Sequence, residues 1–323
     1  MNHSERTLRK FGTILEPEEA QEPILPRKMR EVFLSWLTEI WAAEQLKEVG
    51  VKPRLRSIFG GKPGTGKTTL AHHLAARLGM RMLLVGPEKI NSQYVHASAE
   101  AMGALFDAVT QYPDPIVLFF DEFDSVAAQR MNTGTNEATE QDHNLMINTL
   151  LSRMDRYEDI VIAASNFEGR LDGAVWRRFD LHVTLPLPGQ NERVRILRRY
   201  LEPYQLSKPE LVRLAEAFET ASPALMRQFC ENIKRNIIVG PMANWQMGKR
   251  ATIDRIVDST KPHADLGYPR LWTLKSDDHA IQKLKWPLSR DRPKEDDQAA
   301  KAPLNSAEEM NVVQLTDARK AKS

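Results

Sequence analysis

The stretch GGKPGTGKTT at residues 60–69 restricts the fold of this 323-residue chain more than any other segment does. Residues 61–68 match the phosphate-binding pattern G-x-x-x-x-G-K-[ST] without a mismatch. The β-like run RSIF precedes the stretch, and the helical pattern LAHHLAARLG follows it. Glycine allows the backbone N–H groups to point at phosphate oxygens, and the start of a helix attracts the same negative charge. The stretch therefore predicts a nucleoside triphosphate site in an α/β sheet.

Within this loop, Lys67 is predicted to reach the β- and γ-phosphates, and the Thr68 hydroxyl is predicted to bind Mg²⁺. ATP and Mg²⁺ are the predicted cofactors. The residues predicted to contact the nucleotide from this loop are Gly61, Lys62, Pro63, Gly64, Thr65, Gly66, Lys67, Thr68 and Thr69.

A second candidate feature is the acidic pair that ends the apolar run IVLFFDE at residues 116–122. A continuous apolar run is typical of a strand buried on both faces, and α/β sheets bind ligands at the carboxyl ends of their strands. Asp121 is predicted to hold the magnesium ion, and Glu122 to act as the base that polarises the attacking water. Such a pair on its own is structural about as often as functional. Together with the phosphate loop it predicts nucleotide hydrolysis.

The order of patterns along the chain predicts an α/β P-loop NTPase, a parallel sheet flanked by helices, followed by a small all-α lid. Short β-like runs alternate with helical patterns of about ten residues as far as LHVTL, and only helical patterns follow. Four parts are predicted: a flexible N-terminal lead-in at 1–22, an α/β nucleotide-binding domain at 23–188, a helical lid at 189–260, and a polar, largely disordered tail at 261–323.

Composition limits the environment and the partners of the chain. The formal net charge of +2 gives no case for a polyanion-binding protein, so nucleic acid is not indicated, although it is not excluded. The single cysteine, Cys230, rules out an intramolecular disulfide framework. No secretory pattern opens the chain, and no apolar run approaches the ~20 residues that span a bilayer. A cytoplasmic protein without a membrane span is expected.

Taken in order, these motifs resemble those of the AAA+ ATPases, in particular the AAA subgroup of FtsH, katanin and spastin. The resemblance covers residues 24–240, with GKPGTGKT similar to the family's GPPGTGKT and LFFDEFDSVAAQR similar to its second nucleotide motif. DIVIAASN ends in Asn166, which matches the sensor-1 residue that orients the lytic water. LDGAVWRRFD resembles the second region of homology, which implies that Arg177 and Arg178 are arginine fingers acting in a neighbouring subunit's site.

The resemblance extends to two further places. SQYVHAS aligns with the family's first pore loop, which implies that Tyr94 and Val95 grip a peptide chain, with His96 where a glycine is usual. TASPALMRQFC aligns with the sensor-2 region and places Ala224 where many other AAA+ clades have a basic residue. Arg227, one helical turn later, could replace that residue or could be an exposed helix charge.

These observations predict an ATP-hydrolysing ring motor, a homo-oligomer and most simply a hexamer, that unfolds, remodels or disassembles a protein substrate through a central pore. One alternative is a nucleic-acid machine of the helicase or clamp-loader type, because one fold can serve both functions. Another is an assembly switch that does not thread its substrate. The chain contains no H-E-x-x-H sequence, so no zinc protease is predicted within it, whereas a separate protease partner is compatible with the sequence.

Overall fold

The computed structural model of the chain describes residues 3–90, 97–129, 137–263 and 266–290. These residues form two compact units. Within the described ranges, the first unit comprises the residues up to Arg193 together with Thr220–Gln228 and Pro262–Tyr268, and the second comprises Val194–Glu219, Phe229–Lys261 and residues 269–290. In the described ranges, no helix combines the length and the apolar character needed to cross a membrane.

The first unit is built on a sheet with the strand order β1-β3-β4-β5-β2-β6. Its strands are β1 (Thr13–Leu15), β2 (Arg56–Gly61), β3 (Arg81–Val85), β4 (Ile116–Phe120), β5 (Val161–Ala164) and β6 (Leu181–Leu185). All neighbouring strands are parallel except β1, which pairs with β3 in the antiparallel sense. The parallel arrangement brings the carboxyl ends of β2, β4 and β5 to one edge of the sheet.

Helices cover both faces of this sheet, as the sequence predicts for an α/β nucleotide-binding fold. The helices of the first unit are α1 (His3–Leu8), α2 (Arg27–Trp41), α3 (Ala43–Glu48), α4 (Lys67–Arg77), α5 (Ala97–Thr110), α6 (Glu137–Arg156) and α7 (Gly173–Trp176). On one face, Phe106 and Leu150 pack in the cluster that includes Phe120. On the other face, Trp36 and Leu74 pack in a separate cluster. All five residues of β4 are buried, which explains its continuous apolar run.

Residues 3–22 contain α1 and β1, which corrects the prediction of a flexible lead-in over this part of 1–22. Leu8 is fully buried, and β1 forms the edge of the sheet beside β3. The Glu16 carboxylate accepts a hydrogen bond from Arg81 Nε at 2.8 Å, and the Glu16 carbonyl oxygen lies 2.8 Å from the His72 ring. A three-residue strand is too short to produce an alternating pattern, so the sequence alone gives no signal for it.

Apart from one β-bridge between Gln205 and Ser289, the regular elements among the described residues of the second unit are helices, in agreement with the predicted helical lid. Its helices are α8 (Gln190–Leu201), α9 (Lys208–Ala217), α10 (Pro223–Met242), α11 (Lys249–Ser259), α12 (Arg270–Leu274) and α13 (His279–Gln282), the first residues of α8 and α10 being counted with the first unit. A capping box begins α9, because Ser207 and Glu210 satisfy each other's backbone N–H groups.

Residues 266–290 are also ordered, which corrects the prediction of a largely disordered tail for this part of 261–323. Trp272 packs edge-to-face against Phe218 and Phe229, with ring centroids 5.5 and 6.1 Å apart, and its Nε1 donates to the Thr260 carbonyl oxygen. The fully buried Asp278 accepts a hydrogen bond from the backbone N–H of Ala280 at 2.8 Å. Helices of five and four residues are too short for the helical period to be visible in the sequence.

Replacing Trp272 with alanine is expected to lower the free energy of unfolding of the second unit by about 3–5 kcal/mol, because it leaves a large cavity beside the Phe218–Phe229 ring pair. Trp245, which is 40% exposed, provides the matched control, and its replacement with alanine should lower that free energy by about 1 kcal/mol or less. Hydrogen exchange of the α9 and α10 amides measures both values. Equal protection in the two variants would contradict the structural role of Trp272.

Candidate nucleotide site

The phosphate loop follows β2 and bends directly into α4. Gly64 and Gly66 have φ angles of 75° and 95°, in the left-handed region that only glycine adopts without strain. The Thr65 hydroxyl donates to the Lys62 carbonyl oxygen at 2.9 Å and closes the turn between them. The backbone therefore has the conformation that explains two of the glycines in the motif.

Lys67, the first residue of α4, extends back along the loop and is only 8% exposed. Its Nζ donates to the carbonyl oxygens of Gly61 and Lys62 at 2.7 and 3.3 Å, and to Asn166 Oδ1 at 2.7 Å. The structure thus brings together two residues that the sequence places far apart. All three acceptors are uncharged, so none of them offsets the charge of the protonated amine, which can attract phosphate.

The charge of Lys67 is subject to two opposing influences. Burial lowers the pKa of its amine, and the negative charges of Asp121, Asp124 and Glu168 act in the opposite direction to raise it. Asp121 was singled out by the sequence, whereas Glu168 carried no recognisable signal. Three carboxylates therefore help to keep the lysine protonated in its buried position.

Thr68 and Asp121 form the second pair of predicted residues that the structure brings together. The Thr68 hydroxyl donates to Asp121 Oδ2 at 2.9 Å, and the Asp121 backbone N–H donates to the Val85 carbonyl oxygen at 3.0 Å. Magnesium prefers oxygen ligands and is commonly held by one or two protein groups together with substrate phosphates. The Thr68 hydroxyl oxygen and the Asp121 carboxylate oxygen are two protein ligands of this kind. In the part of the chain that the structure describes, no group of three or more His, Cys, Asp or Glu side chains forms a protein-only metal site.

Glu122 has an unusual backbone conformation, with φ 46° and ψ 43°. Residues other than glycine adopt the left-handed region infrequently, and such residues concentrate at functional sites. The Glu122 backbone N–H donates to Asp121 Oδ1 at 3.0 Å, and its side chain is exposed. The carboxylate is therefore accessible to water beside the candidate metal ligands.

Asn166 is positioned by its neighbours through a set of hydrogen bonds. Asp124 Oδ1 accepts from the Ser165 hydroxyl at 2.9 Å and from the Asn166 backbone N–H at 3.0 Å. The Ser165 hydroxyl in turn accepts from the Phe167 backbone N–H at 3.0 Å. The family resemblance of the acidic motif includes Asp124 but does not predict its hydrogen bonds to the loop after β5. No sequence pattern predicts that Ser165 takes part in them. Asp124 therefore ties the loop after β5 to the acidic segment after β4.

The acidic segment is also joined to the residues that lead into α7. The Ala127 carbonyl oxygen accepts from the Asp172 backbone N–H at 2.9 Å, and the Gln129 backbone N–H donates to the Arg170 carbonyl oxygen at 2.8 Å. Asp172 then caps α7, because its Oδ1 accepts from the Ala174 backbone N–H at 2.8 Å. Backbone contacts thus connect the segment after β4 to the helix that precedes the predicted arginine fingers.

The two predicted arginine fingers differ in their surroundings. Arg178 Nε donates to Asp155 Oδ1 at 2.6 Å and its Nη2 donates to Oδ2 at 3.1 Å, and this pairing raises the pKa of Arg178 and lowers the pKa of Asp155. Arg177 is exposed, and its side chain has no hydrogen bond or ion pair with any residue in the described ranges. Only Arg177 is therefore available to reach outside its own chain without breaking an ion pair.

At the predicted sensor-2 position, Ala224 contacts the phosphate loop through its backbone. The Ala224 N–H donates to the Gly64 carbonyl oxygen at 3.2 Å, and both residues belong to the first unit. Arg227 is exposed on α10. The predicted pore-loop residues Tyr94, Val95 and His96 lie outside the described residues.

The sequence around this site is similar to a known protein family and to several known proteins. Residues 57–187 match the model of the ATPase family associated with various cellular activities (AAA). An uncharacterized AAA family ATPase of Sinorhizobium fredii is 34% identical over 173 residues, which are 53% of this chain and 51% of that protein. The proteasome-activating nucleotidase of Methanopyrus kandleri is 31% identical over 211 residues, 63% of this chain and 47% of that protein.

A third relative is the ATP-dependent zinc metalloprotease FtsH 3 of Sorangium cellulosum, which is 33% identical over 169 residues, 50% of this chain and 28% of that protein. The chain thus spans between 28% and 51% of the length of these three relatives.

Proposed function

Because residues 57–187 match the model of the AAA ATPase family, we propose that this chain is an ATP-hydrolysing ring motor of the cytoplasm that unfolds, remodels or disassembles proteins through a central pore. The observation that carries the proposal is the convergence of side chains from three strand ends on one site. The converging side chains are those of Lys67, Thr68, Asp121 and Asn166, and the backbone N–H of Glu122 donates to Asp121.

The contacts suggest a role for each of these groups. Lys67 would exchange its uncharged acceptors for the phosphates of ATP, while Thr68 and Asp121 would hold Mg²⁺. The bound ion offsets the negative charge of the phosphates when it is present. Glu122 would accept a proton from a water that the Asn166 amide orients. That water attacks the γ-phosphorus, the bond to the β,γ-bridging oxygen breaks, and ADP and phosphate leave.

The proposed ring follows from Arg177. An arginine that is exposed and has no partner among the described residues can complete the nucleotide site of a neighbouring subunit, where it stabilises the charge of the transition state. We therefore propose a homo-oligomer, with a hexamer as the expected state. Arg178 is a second candidate for the same role, although its pairing with Asp155 would first have to break.

The names of two relatives, a proteasome-activating nucleotidase and an ATP-dependent metalloprotease, support a protein as the substrate. No H-E-x-x-H sequence is present in these 323 residues, and a separate protease partner is compatible with the proposal. In this proposal, Tyr94 and Val95 grip the substrate by apolar packing, and His96 lies beside them.

The central test is to measure ATP hydrolysis with a permanently unfolded protein, with single-stranded DNA and with double-stranded DNA. The proposal predicts severalfold stimulation by the unfolded protein only. Stimulation by DNA alone would instead support a helicase or clamp-loader function. If ATP drives ring assembly and none of the three stimulates hydrolysis, the assembly-switch alternative is supported.

Replacing Tyr94 with alanine is expected to reduce the stimulation by unfolded protein to nearly none, because the aromatic contact with the substrate is lost. The ratio of stimulated to unstimulated hydrolysis measures this effect. Tyr268, which is 63% exposed, provides a control tyrosine whose replacement should leave the ratio unchanged. Equal ratios for Tyr94→Ala and Tyr268→Ala would contradict the pore-loop role.

A further inference from the structure

The side chain of Glu168 occupies the space in which a side chain at position 60 would lie. Gly60 is a buried residue of β2, and a Cβ atom added to it would fall 1.1 Å from Glu168 Oε1 and 2.2 Å from the carboxyl carbon. Thr184 of β6 is the register partner of Gly60, and its hydroxyl donates to Glu168 Oε1 at 3.1 Å. Glu168 follows β5, so its side chain crosses over β2 to reach β6.

The backbone does not explain why residue 60 is glycine. Gly61, Gly64 and Gly66 have positive φ angles, whereas Gly60 does not. Glycine within a strand generally weakens it and often marks the close approach of another group. Here the approaching group is the Glu168 carboxylate, so the glycine provides space for a side chain from another loop.

The loop that carries Glu168 also carries Asn166. Asp124 holds one side of this loop through the Ser165 hydroxyl and the Asn166 backbone N–H. Thr184, two strands away, holds the other side through the Glu168 carboxylate. The loop is therefore held by hydrogen bonds to Asp124 on one side and to Thr184 on the other. Asn166 belongs to this loop, and its Oδ1 atom lies 2.7 Å from Lys67 Nζ.

We infer that Glu168 is a positioning residue for ATP hydrolysis, which fixes the Asn166 amide relative to the phosphate loop by its bond to Thr184 across Gly60. The inference rests on the proposed function, because it assumes that Asn166 orients the lytic water. Gly60 and Glu168 then form a functional pair, in which the small residue is needed only because the carboxylate is there.

This pairing leads to a double-mutant test. Gly60→Ala places a methyl group against the end of a flexible side chain, so it displaces the Glu168 carboxylate without straining the backbone. We expect kcat for ATP to fall about five- to tenfold, which corresponds to the loss of one positioning hydrogen bond, while KM changes by less than about twofold. Glu168→Ala should give the same result. The Gly60→Ala, Glu168→Ala double variant should be no slower than either single variant.

Two further variants act as controls. Glu168→Gln should keep most of kcat, because its amide oxygen can accept the same bond from Thr184. Gly169→Ala is the matched glycine substitution, since a Cβ atom there meets nothing within 4 Å and φ is not positive, and it should leave kcat unchanged. If Gly60→Ala does not fold, Thr184→Val replaces it in the cycle with Glu168→Ala, and the same absence of additivity is expected.

Several outcomes overturn the inference. A normal kcat in Glu168→Ala would remove the positioning role, as would losses that multiply in the double variant or an equal loss in Glu168→Gln. Asn166→Ala separates this failure from that of the proposed function. If Asn166→Ala lowers kcat while the effects of Gly60→Ala and Glu168→Ala on the activation free energy add in the double variant, only the inference about Glu168 fails. A wild-type chain that hydrolyses no ATP overturns the proposed function and this inference with it.

Discussion

Replacement of Arg177 by alanine is expected to lower ATP turnover by about 10³-fold or more, because an arginine supplied from a neighbouring subunit contributes on this scale in other nucleotide hydrolases. The structure favours Arg177 for this role because its side chain is exposed and, in the described ranges, unpaired. Nucleotide binding should persist, since the phosphate loop of the same chain is unchanged. Phosphate release and binding of a fluorescent ATP analogue measure the two effects separately.

Mixing two inactive variants tests whether the arginine acts between subunits. Lys67→Ala removes nucleotide binding from its own chain but retains Arg177. In mixed rings, the intact Arg177 of that variant can complete the intact nucleotide site of an Arg177→Ala neighbour. Part of the activity should therefore return on mixing. Mixed oligomers that form but stay inactive would exclude the proposed role between subunits.

Arg178→Ala is the matched control for Arg177. Arg178 and Asp155 are 35% and 47% exposed, and a surface ion pair of this kind stabilises a protein by less than about 1 kcal/mol. The variant should therefore retain most of its ATP turnover. A loss as large as that of Arg177→Ala would instead make Arg178 a second arginine finger, as the sequence predicts.

Replacement of Glu122 by glutamine should lower kcat by about 10²- to 10⁴-fold, because the amide cannot accept a proton from the attacking water. ATP affinity should be retained, since Lys67, Thr68 and Asp121 are unchanged, and nucleotide-bound oligomers should accumulate. Glu158, which is 86% exposed, offers a control position where the same substitution should have no effect. Near-normal hydrolysis by Glu122→Gln would remove the assignment of Glu122 as the base.

The fold and the central residues of the site are predictable from the sequence because they depend on local patterns. The phosphate loop requires glycines at fixed spacing, and β4 is apolar at every position because it is buried on both faces. The predicted α/β sheet and helical second unit are confirmed. The contact between Lys67 and Asn166 is consistent with the predicted site, whose individual residue roles remain predictions.

The elements that the sequence does not reveal depend on contacts between distant segments. β1 and α13 are too short for a periodic signal, and Trp272 becomes part of a core only when it meets Phe218 and Phe229. Glu168 reads as an ordinary charged loop residue because its partner Thr184 and the space at Gly60 appear only in the folded sheet. A contact among Gly60, Glu168 and Thr184 cannot be predicted from the sequence pattern of any one of the three segments that carry them.

The backbone bonds from Ala127 and Gln129 to Asp172 and Arg170 have a consequence for timing. They connect the segment that follows the acidic pair Asp121 and Glu122 to the short helix that precedes Arg177, which in the proposed ring acts in the next subunit. In the proposed ring, hydrolysis in one subunit would thereby shift its Arg177 in the neighbouring nucleotide site and change the rate of hydrolysis there. ATP hydrolysis would then pass from subunit to subunit around the ring, and the subunits would not hydrolyse ATP independently of one another.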